Sequence, residues 1–394
     1  MTLIQFEIRK KVLIIGFHHP FNAIQIMAER ISGALSGLGY EVGLAMVGTE
    51  GIANQLSFLG KSDLDMVIFL GSPPMGLKSN DKYLWEFLPQ KVKFLGIILD
   101  SLPYDFRMQC FNDYLEFFSK NSNGYLTSFE NNIARTLSDL TNKEVFHLHH
   151  GSYEVPQKVI EEKKFPERLM FWGSVAAELG KNEATDDLFY TIQKFNVWGL
   201  SIKQISILTE KMKVEKDFYS FCALSKFLEI SYNDLLRQDW IQSLCAIDSA
   251  LKRYRRLFLI ESIQDFPLDI YGKNWEQFLK PSKNIRLMKF QPDDNAVFSY
   301  ACRDYGAVVN IDPNWGNGTN ERAITSLAQG VNLVSNQNLM IDGIVGSFLY
   351  NLNKDSIRSS CELALEFTNP QNSLTKFTWT FVISDLIKKI HKYT

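Results

Sequence analysis

Val309–Ser335 reads VNIDPNWGNGTNERAITSLAQGVNLVS and has the order strand, glycine-bearing loop, helix, strand. The apolar run that ends at Asn310-Ile311 predicts a buried strand, and Asn320 is a preferred N-cap residue for the helix that follows. Gly330 stands where a C-terminal glycine would end that helix. One apolar helical face is formed by Ala323, Ile324, Leu327 and Ala328. This order predicts an α/β fold with a parallel sheet.

The start of this helix suits a diphosphate group. The first turn of a helix carries N–H groups without helical partners and a partial positive charge. Arg322 adds a cation whose fork geometry matches phosphate oxygens. Gly316 and Gly318 allow the backbone to approach a ligand closely. The alternative is an ordinary strand-to-helix turn with a surface arginine, and these residues alone leave both interpretations open.

The N-terminal part of the chain alternates between strand and helix patterns. Candidate buried strands lie at Val12–Gly16, Tyr40–Gly48, Met66–Leu70, Phe94–Leu99 and Val145–Leu148. Buried strands separated by helices predict a parallel sheet that is covered on both faces. Ligands of such sheets gather at the carboxyl ends of the strands. Those ends are His18–Asn22, Gly71–Pro74, Asp100–Pro103 and His149–Ser152.

A second α/β segment follows a polar stretch. Tyr153–Pro166 has no apolar period and predicts a linker, after which Arg168–Trp172 restarts the strand pattern. A long, mostly helical stretch ends in the basic run Lys252–Arg256, which we interpret as a solvated helix face. Further strands are predicted at Leu268–Tyr271, Ile285–Met288, Ala307–Ile311 and Val331–Ser335, and a final amphipathic helix at Phe377–Tyr393. We expect domains at residues 1–155 and 166–375, a helical insertion near 176–262, and a C-terminal helix at 376–394 that packs back toward the first domain.

Composition narrows the classes of function. With 394 residues, 45% of them apolar and 22% charged, the chain has the balance of a two-domain globular protein. A net charge of -2 argues against a surface built for nucleic acid. No apolar stretch has the length of a membrane span, and the opening MTLIQFEIRKKVLIIGF predicts a first buried strand rather than a signal peptide. The five dispersed cysteines predict reduced core residues, so we expect a cytoplasmic location.

Several motifs together resemble bacterial GT-B glycosyltransferases of the CgeB-like, or spore-maturation-protein-like, branch. The signature N-x-x-P-x-x-x-x-G-x-H-[DE]-R-x-x-x-x-x-x-x-G is matched from Asn310 to Gly330, with Asn320 in the place of the histidine. Phe171–Ser174 resembles the opening strand and turn of the family's second domain, Ile270–Trp275 its YG-x-x-W element, and Asp100–Pro103 a D-x-P turn with one residue more. The resemblance implies two Rossmann-like domains that face a cleft. The first would hold the acceptor and the second, with its helical insertion, the nucleotide-sugar donor.

The resemblance also implies a donor site and a substrate class. The donor would be a nucleotide-sugar, with UDP favoured, and no cofactor or metal is expected. Thr325 stands where many GT-B enzymes place an acidic residue for the ribose hydroxyls. Lys273 is either a phosphate contact or an exposed loop residue, and Trp275 either packs or stacks on the base. The implied donor-binding residues are Gly173, Ser174, Tyr271, Gly272, Lys273, Trp275, Asn310, Gly318, Thr319, Asn320, Glu321, Arg322 and Thr325.

Candidates for the general base follow strands of the first domain. Inverting members of the fold often carry a histidine after the first strand, which favours His18 or His19 here, and histidine titrates near neutrality. Asp100 is the competing candidate. Asp63 and Asp65 precede a strand and therefore belong to a surface turn, not to a metal-binding pair. His149-His150-Gly151-Ser152 is interpreted as a hinge or donor-lining segment.

Two functions stay open at this stage. The first is an enzyme, a glycosyltransferase of hexosyltransferase type that moves a sugar to an acceptor protein, glycan or small molecule. The second is a non-catalytic GT-B-like module that binds a nucleotide or a partner protein during assembly. A dehydrogenase is disfavoured because GFHHPF follows the first strand in place of GxGxxG. Nucleic acid is not an expected partner, and the oligomeric state stays open, with a homo-oligomer among the alternatives.

Overall fold

The computed structural model contains two six-stranded parallel sheets flanked by helices. This confirms the predicted α/β class with two sheets. The residues that the structure describes are 10–18, 23–47, 63–79, 81–87, 89, 91–99, 102–152, 163–175, 187–196, 198–214, 221–235, 237–289, 298, 301–311, 320–338, 340–367 and 377–392.

The first sheet is formed by the N-terminal part of the chain. Its strands are β1 Lys11–Phe17, β2 Glu41–Val47, β3 Met66–Leu70, β6 Lys93–Ile98, β7 Gly124–Ser128 and β8 Phe146–His147, with a small antiparallel pair, β4 Lys78–Ser79 and β5 Lys82–Tyr83, beside them. They lie in the order β2-β1-β3-β6-β7-β8. The accompanying helices are α1 Ala23–Gly37, α2 Leu84–Phe87, α3 Leu102–Phe106, α4 Gln109–Lys120 and α5 Asn131–Thr141. This sheet with α1–α5 is called the first unit below.

The second sheet is formed by the C-terminal part. Its strands are β9 Phe165–Trp172, β10 Leu268–Tyr271, β11 Ile285–Met288, β12 Tyr305–Asn310, β13 Asn332–Asn336 and β14 Ser347–Tyr350. They lie in the order β11-β10-β9-β12-β13-β14, all parallel. Helix α11, Glu321–Ala328, joins β12 to β13, and helix α12, Lys354–Glu366, packs on the same sheet. This sheet with α11 and α12 is called the second unit.

The described chain between β9 and β10 is mainly helical. It forms α6 Asp187–Lys194, α7 Ile202–Val214, α8 Phe221–Leu228, α9 Tyr232–Leu235 and the 25-residue α10 Gln238–Ser262. The first part of α10 contributes Ile247 and Leu251 to an apolar cluster that continues into the first sheet. The last part contributes Leu257 and Ile260 to the core on one face of the second sheet. Helix α10 therefore packs against both units.

The last helix, α13 Trp379–Lys392, lies against α1 on the other face of the first sheet. Where the chain enters this helix, Ser152 N donates to Phe377 O at 2.5 Å, and Ser152 and Thr378 form a parallel bridge. A Cβ atom on Gly151 would lie 2.2 Å from the Trp379 ring, so only glycine fits beneath that indole. The chain leaves the first unit after Ser152 and returns to it at Phe377. These two points, called the crossing below, are thus held side by side.

One local interpretation from the sequence is wrong. The basic run at residues 252–256 is not a solvated helix face, since Arg253 and Arg255 are 3% and 1% exposed. Arg255 Nη2 donates to Met212 O at 2.8 Å near the end of α7, where a cation is favoured by the helix dipole. The run lies inside the molecule because α10 is covered on several sides. Of the helices that the structure describes, none is long and apolar enough to cross a membrane.

Candidate nucleotide site

The candidate site lies where the strand order of the second sheet reverses. In the order β11-β10-β9-β12-β13-β14, the chain runs outward in one direction from β9 and in the other direction from β12. Such a reversal leaves a crevice beyond the carboxyl ends of the two strands, and open α/β sheets bind their ligands there. Trp172 ends β9 and Asn310 ends β12. The turns after these two residues therefore define the site.

A chain of hydrogen bonds fixes the start of α11 at the end of β12. The Asn320 side chain accepts from Ala323 N at 3.0 Å, which makes Asn320 the N-cap, as its residue type predicts. Its amide donates to Asn310 Oδ1 at 2.9 Å, and the Asn310 amide donates to Ser335 Oγ at 3.1 Å. Tyr350 Oη donates to the carbonyl of Asn310 at 2.8 Å. Asn320 thus joins helix and strand.

Arg322 carries the positive charge of the first helical turn to the end of β9. Its Nη1 donates to the carbonyl oxygen of Trp172, and a Cβ atom on Gly173 would lie 3.1 Å from that nitrogen. The carbonyl accepts one of the five N–H donors of the guanidinium and so positions the group. The arginine therefore places a cation between the two strand ends that define the site.

The turns after β9 and β10 lock into each other beside Arg322. Gly272 has φ +154°, and a Cβ atom there would lie 2.1 Å from the carbonyl oxygen of Gly173. Lys273 N donates to Ser174 Oγ at 3.0 Å. Trp275 Nε1 donates to Gly173 O at 2.6 Å, and its ring is 1% exposed, packed edge-on against Phe171. The indole supports the turn and cannot stack on a base, so of the two roles considered for Trp275 the structure selects packing.

Most of the predicted donor residues meet at this point. Gly173, Ser174, Gly272, Lys273, Asn310, Asn320 and Arg322 belong to the connected turns, with Glu321 half-buried in the same helical turn. The ring of Tyr271 stacks on Trp172 at 4.8 Å, and its hydroxyl lies 2.9 Å from the Tyr305 hydroxyl, which directs it toward the core. Gly318 and Thr319 lie outside the described residues.

Thr325 requires a correction. The sequence comparison placed it at the ribose position, but the residue is 0% exposed in the core face of α11. A hydroxyl enclosed in this way cannot contact a ribose in the observed conformation.

Of the candidate bases, His18 is among the described residues and lies at the first sheet. Its strand order reverses between β1 and β3, so the same rule places a ligand at the carboxyl ends of these strands. His18 directly follows β1 there and is exposed. Gly71 follows β3 with φ +78° and lies close to Phe17. His19 and Asp100 lie outside the described residues.

The histidines after β8 line the crossing between the units. His150 is 6% exposed, stacks on Phe129 with ring centroids 4.0 Å apart, and meets Trp379 edge-on. Burial lowers the pKa of His150 to about 3. Burial, and then the neighbouring His149, lower the pKa of His147 to about 4. These rings are packed against aromatic neighbours, and the interpretation of this segment as a hinge or donor lining stays a prediction.

Arg256 is a residue at this site that the sequence interpretation missed. Its Nη1 donates to the carbonyl oxygen of Ser174, and the hydroxyl of Ser174 accepts a hydrogen bond from the amide of Lys273. Apolar residues flank the basic run, with Leu251 before it and Leu257 and Leu259 after it. They leave no continuous polar face on the helix, and this pattern was the available signal of burial. Within the described ranges, no group of three or more His, Cys, Asp or Glu side chains is arranged to hold a metal ion.

Comparisons with known proteins give structural similarities alone. No family model matches the chain, and no curated protein matches it. The solved structure of T4 phage BGT in complex with UDP-glucose is 10% identical, with 97% of each chain covered and a TM-score of 0.46. S. aureus TarM in complex with UDP is 11% identical over 86% of this chain and 55% of its own, with a TM-score of 0.37. The spinosyn rhamnosyltransferase SpnG is 9% identical over 98% of this chain and 100% of its own, with a TM-score of 0.39.

Proposed function

We propose that the chain is a glycosyltransferase of GT-B architecture that binds a nucleotide-sugar, UDP-linked, at the reversal point of its second sheet. The observation that carries the proposal is the meeting of Arg322, the capped start of α11 and the Gly173–Gly272 contact at the ends of β9, β10 and β12. A cation, a helix N-terminus and close-packed glycines at one strand edge form the kind of site that a diphosphate needs.

The same arrangement suits the departure of a nucleoside diphosphate. Negative charge develops on the leaving phosphate in glycosyl transfer, and fixed positive groups stabilise it because they are already oriented. Arg322 and the α11 dipole supply that charge, and exposed Lys273 on the adjoining turn is proposed as a second cation. In this mechanism neither a cofactor nor a metal is required.

The acceptor is proposed to bind at the first unit. His18 follows β1 at the reversal point of the first sheet, and an imidazole can take the proton of an attacking hydroxyl near neutral pH. His18 or its neighbour His19 is therefore the proposed base, with Asp100 as the competing candidate. We further propose the hexosyltransferase type and the CgeB-like branch on the resemblance of the motifs, and a cytoplasmic location on the five dispersed cysteines. We also propose the domain limits 1–155 and 166–375.

Loss of Arg322 tests the donor site. We expect Arg322→Ala to weaken UDP binding by about 100-fold, because charged hydrogen bonds to phosphate are lost, and Arg322→Lys by about tenfold, because lysine keeps the charge without the fork. The measurement is isothermal titration calorimetry with UDP, supported by thermal unfolding to show that each variant is folded.

The matched control is Arg303→Ala. Arg303 Nε donates to Gln329 Oε1 at 2.5 Å, at the opposite end of the same helix, so its removal should leave UDP affinity within about twofold of the wild type. Equal UDP affinity of Arg322→Ala and wild type would refute the site. Nucleotide binding without release of UDP from any nucleotide-sugar in a panel would favour the non-catalytic module.

A further inference from the structure

Helix α10 connects the nucleotide site to the first unit through two polar contacts on one rigid element. Its first contact is with α3, which begins shortly after Asp100 and thus beyond the carboxyl end of β6. Its second contact is with the turn after β9. A continuous α-helix keeps its shape because every inner turn is hydrogen-bonded, so movement at one contact reaches the other.

The first-unit contact is built around Tyr104 of α3. Its hydroxyl lies 2.9 Å from the Ser249 hydroxyl and donates to the Cys245 carbonyl at 3.5 Å. Lys252 Nζ lies 5.0 Å from the centroid of the Tyr104 ring and 2.8 Å from the fully buried Asp248 carboxylate. Burial, followed by the charge of Asp248, raises the pKa of Tyr104 to about 12, so the phenol stays protonated and can donate.

The nucleotide-site contact is built around Arg256. Its guanidinium donates to the Ser174 carbonyl, while the Ser174 hydroxyl accepts from the amide of Lys273. Arg256 therefore holds the turn against which the Lys273 segment is placed. Ser249 and Arg256 are about 10 Å apart along the helix axis at 1.5 Å per residue. The helix thus spans a short distance between a first-unit helix and the turn beside the proposed phosphate site.

We propose that Arg256 is a positioning residue for the nucleotide site and that α10 couples this site to Tyr104 of the first unit. The identity of the bound ligand rests on the proposed function, whereas the mechanical coupling does not. Because binding energies are linked reciprocally, a ligand that requires the Gly173–Ser174 turn in its observed conformation also favours the observed docking of α3 on α10. Through this coupling, ligand binding at the turn after β9 in the second unit is linked to the docking of α3 of the first unit on α10.

Two readouts separate this proposal from the proposed function. The first is amide hydrogen exchange of the peptide covering Phe171–Val175, where Gly173 N and Val175 N are bonded to the β10 segment. The second is the affinity for UDP by calorimetry. The variants are Arg256→Ala, the conservative Arg256→Lys, Tyr104→Phe and the double variant. Arg358→Ala is the matched control, since this arginine donates to the carbonyl of Ser262, the last residue of α10, and to Asp265, away from the Ser174 turn.

We expect Arg256→Ala to accelerate exchange in this peptide and to weaken UDP binding by about tenfold, with Arg256→Lys recovering part of both. Tyr104→Phe should shift both readouts in the same direction, with a loss of affinity of about threefold. The double variant should bind UDP no more weakly than Arg256→Ala within about twofold, because both changes act through one turn. Arg358→Ala should leave both readouts unchanged.

The proposal is overturned if Tyr104→Phe leaves exchange of the 171–175 peptide unchanged, or if the two losses of affinity multiply. If Arg256→Ala left exchange and affinity at wild-type levels, the positioning role would also be lost. Faster exchange in both single variants, in a protein whose wild type binds no nucleotide, would support the coupling and refute the proposed function. Arg256→Lys keeps the test open if the alanine variant does not fold.

Discussion

Replacement of Asp269 by asparagine or alanine is expected to lower the free energy of unfolding by about 3–5 kcal/mol. Asp269 lies in β10 with 0% exposure and accepts hydrogen bonds from side chains on three other strands of the sheet. Arg168 on β9 contributes Nη2 at 2.6 Å, Arg286 on β11 contributes Nε at 2.7 Å, and Tyr305 at the start of β12 contributes its hydroxyl at 2.8 Å. Without the carboxylate, two arginines lose their common counter-charge.

The matched control for this prediction is Asp63→Asn. Asp63 pairs with Lys91 at 3.2 Å, but the two side chains are 78% and 69% exposed. Such an exposed pair contributes about 1 kcal/mol or less. Both variants should be compared with wild type by urea unfolding monitored through circular dichroism. If Asp269→Asn unfolded at the same urea concentration as Asp63→Asn, the buried cluster would not stabilise the second sheet.

The Asp269 cluster also has a defined pH range. Burial acts to raise the pKa of Asp269, but the hydrogen bonds from Arg286, Tyr305 and Arg168 outweigh it and hold the pKa below its ordinary value. A carboxyl with a lowered pKa binds fewer protons when folded, so its stabilising effect is complete above about pH 5 and is lost as the pH falls toward the lowered folded pKa. This loss should therefore occur only under acidic conditions.

Stability is expected to decline between pH 6.5 and pH 5 because of the histidines at the crossing. His147 and His150 have pKa values lowered to about 4 and about 3 by burial, whereas an unfolded histidine titrates near 6.5. In this interval the unfolded chain binds protons that the folded chain excludes, so stability falls as the pH decreases. At pH 5 the loss is about 2 kcal/mol for each of the two histidines.

Substitution of these histidines should flatten the pH dependence. His150→Gln and His147→Gln are each expected to remove about half of the decrease in stability between pH 6.5 and pH 5, measured by urea unfolding at a series of pH values. The control is Lys120→Gln in the exposed pair of Lys120 with Glu116, which should leave the slope unchanged. An undiminished slope in the double variant His147→Gln/His150→Gln would contradict the assignment.

Much of the fold was predictable because many of its strands are short, mostly apolar runs. Met66–Leu70, Leu268–Tyr271 and Ile285–Met288 were predicted with the limits observed for β3, β10 and β11. Strand β7, with the sequence GYLTS, was missed because its Thr127 and Ser128 are polar in composition and buried only by the neighbouring strands. Strand β14 was missed as well, since SFLY is short and only Tyr350 in it is fully buried.

The sequence by itself determined the start of α11. Asn320 caps this helix and Arg322 lies in its first turn because capping and helical periodicity are local properties, set within a few residues. The positions of Thr325, Trp275 and Arg256 were decided only by the tertiary structure, which buries the first, packs the second under Gly173 and brings the third to Ser174. These three depend on which elements meet in space, and contacts between segments so far apart along the chain leave no periodic signal within any one of them.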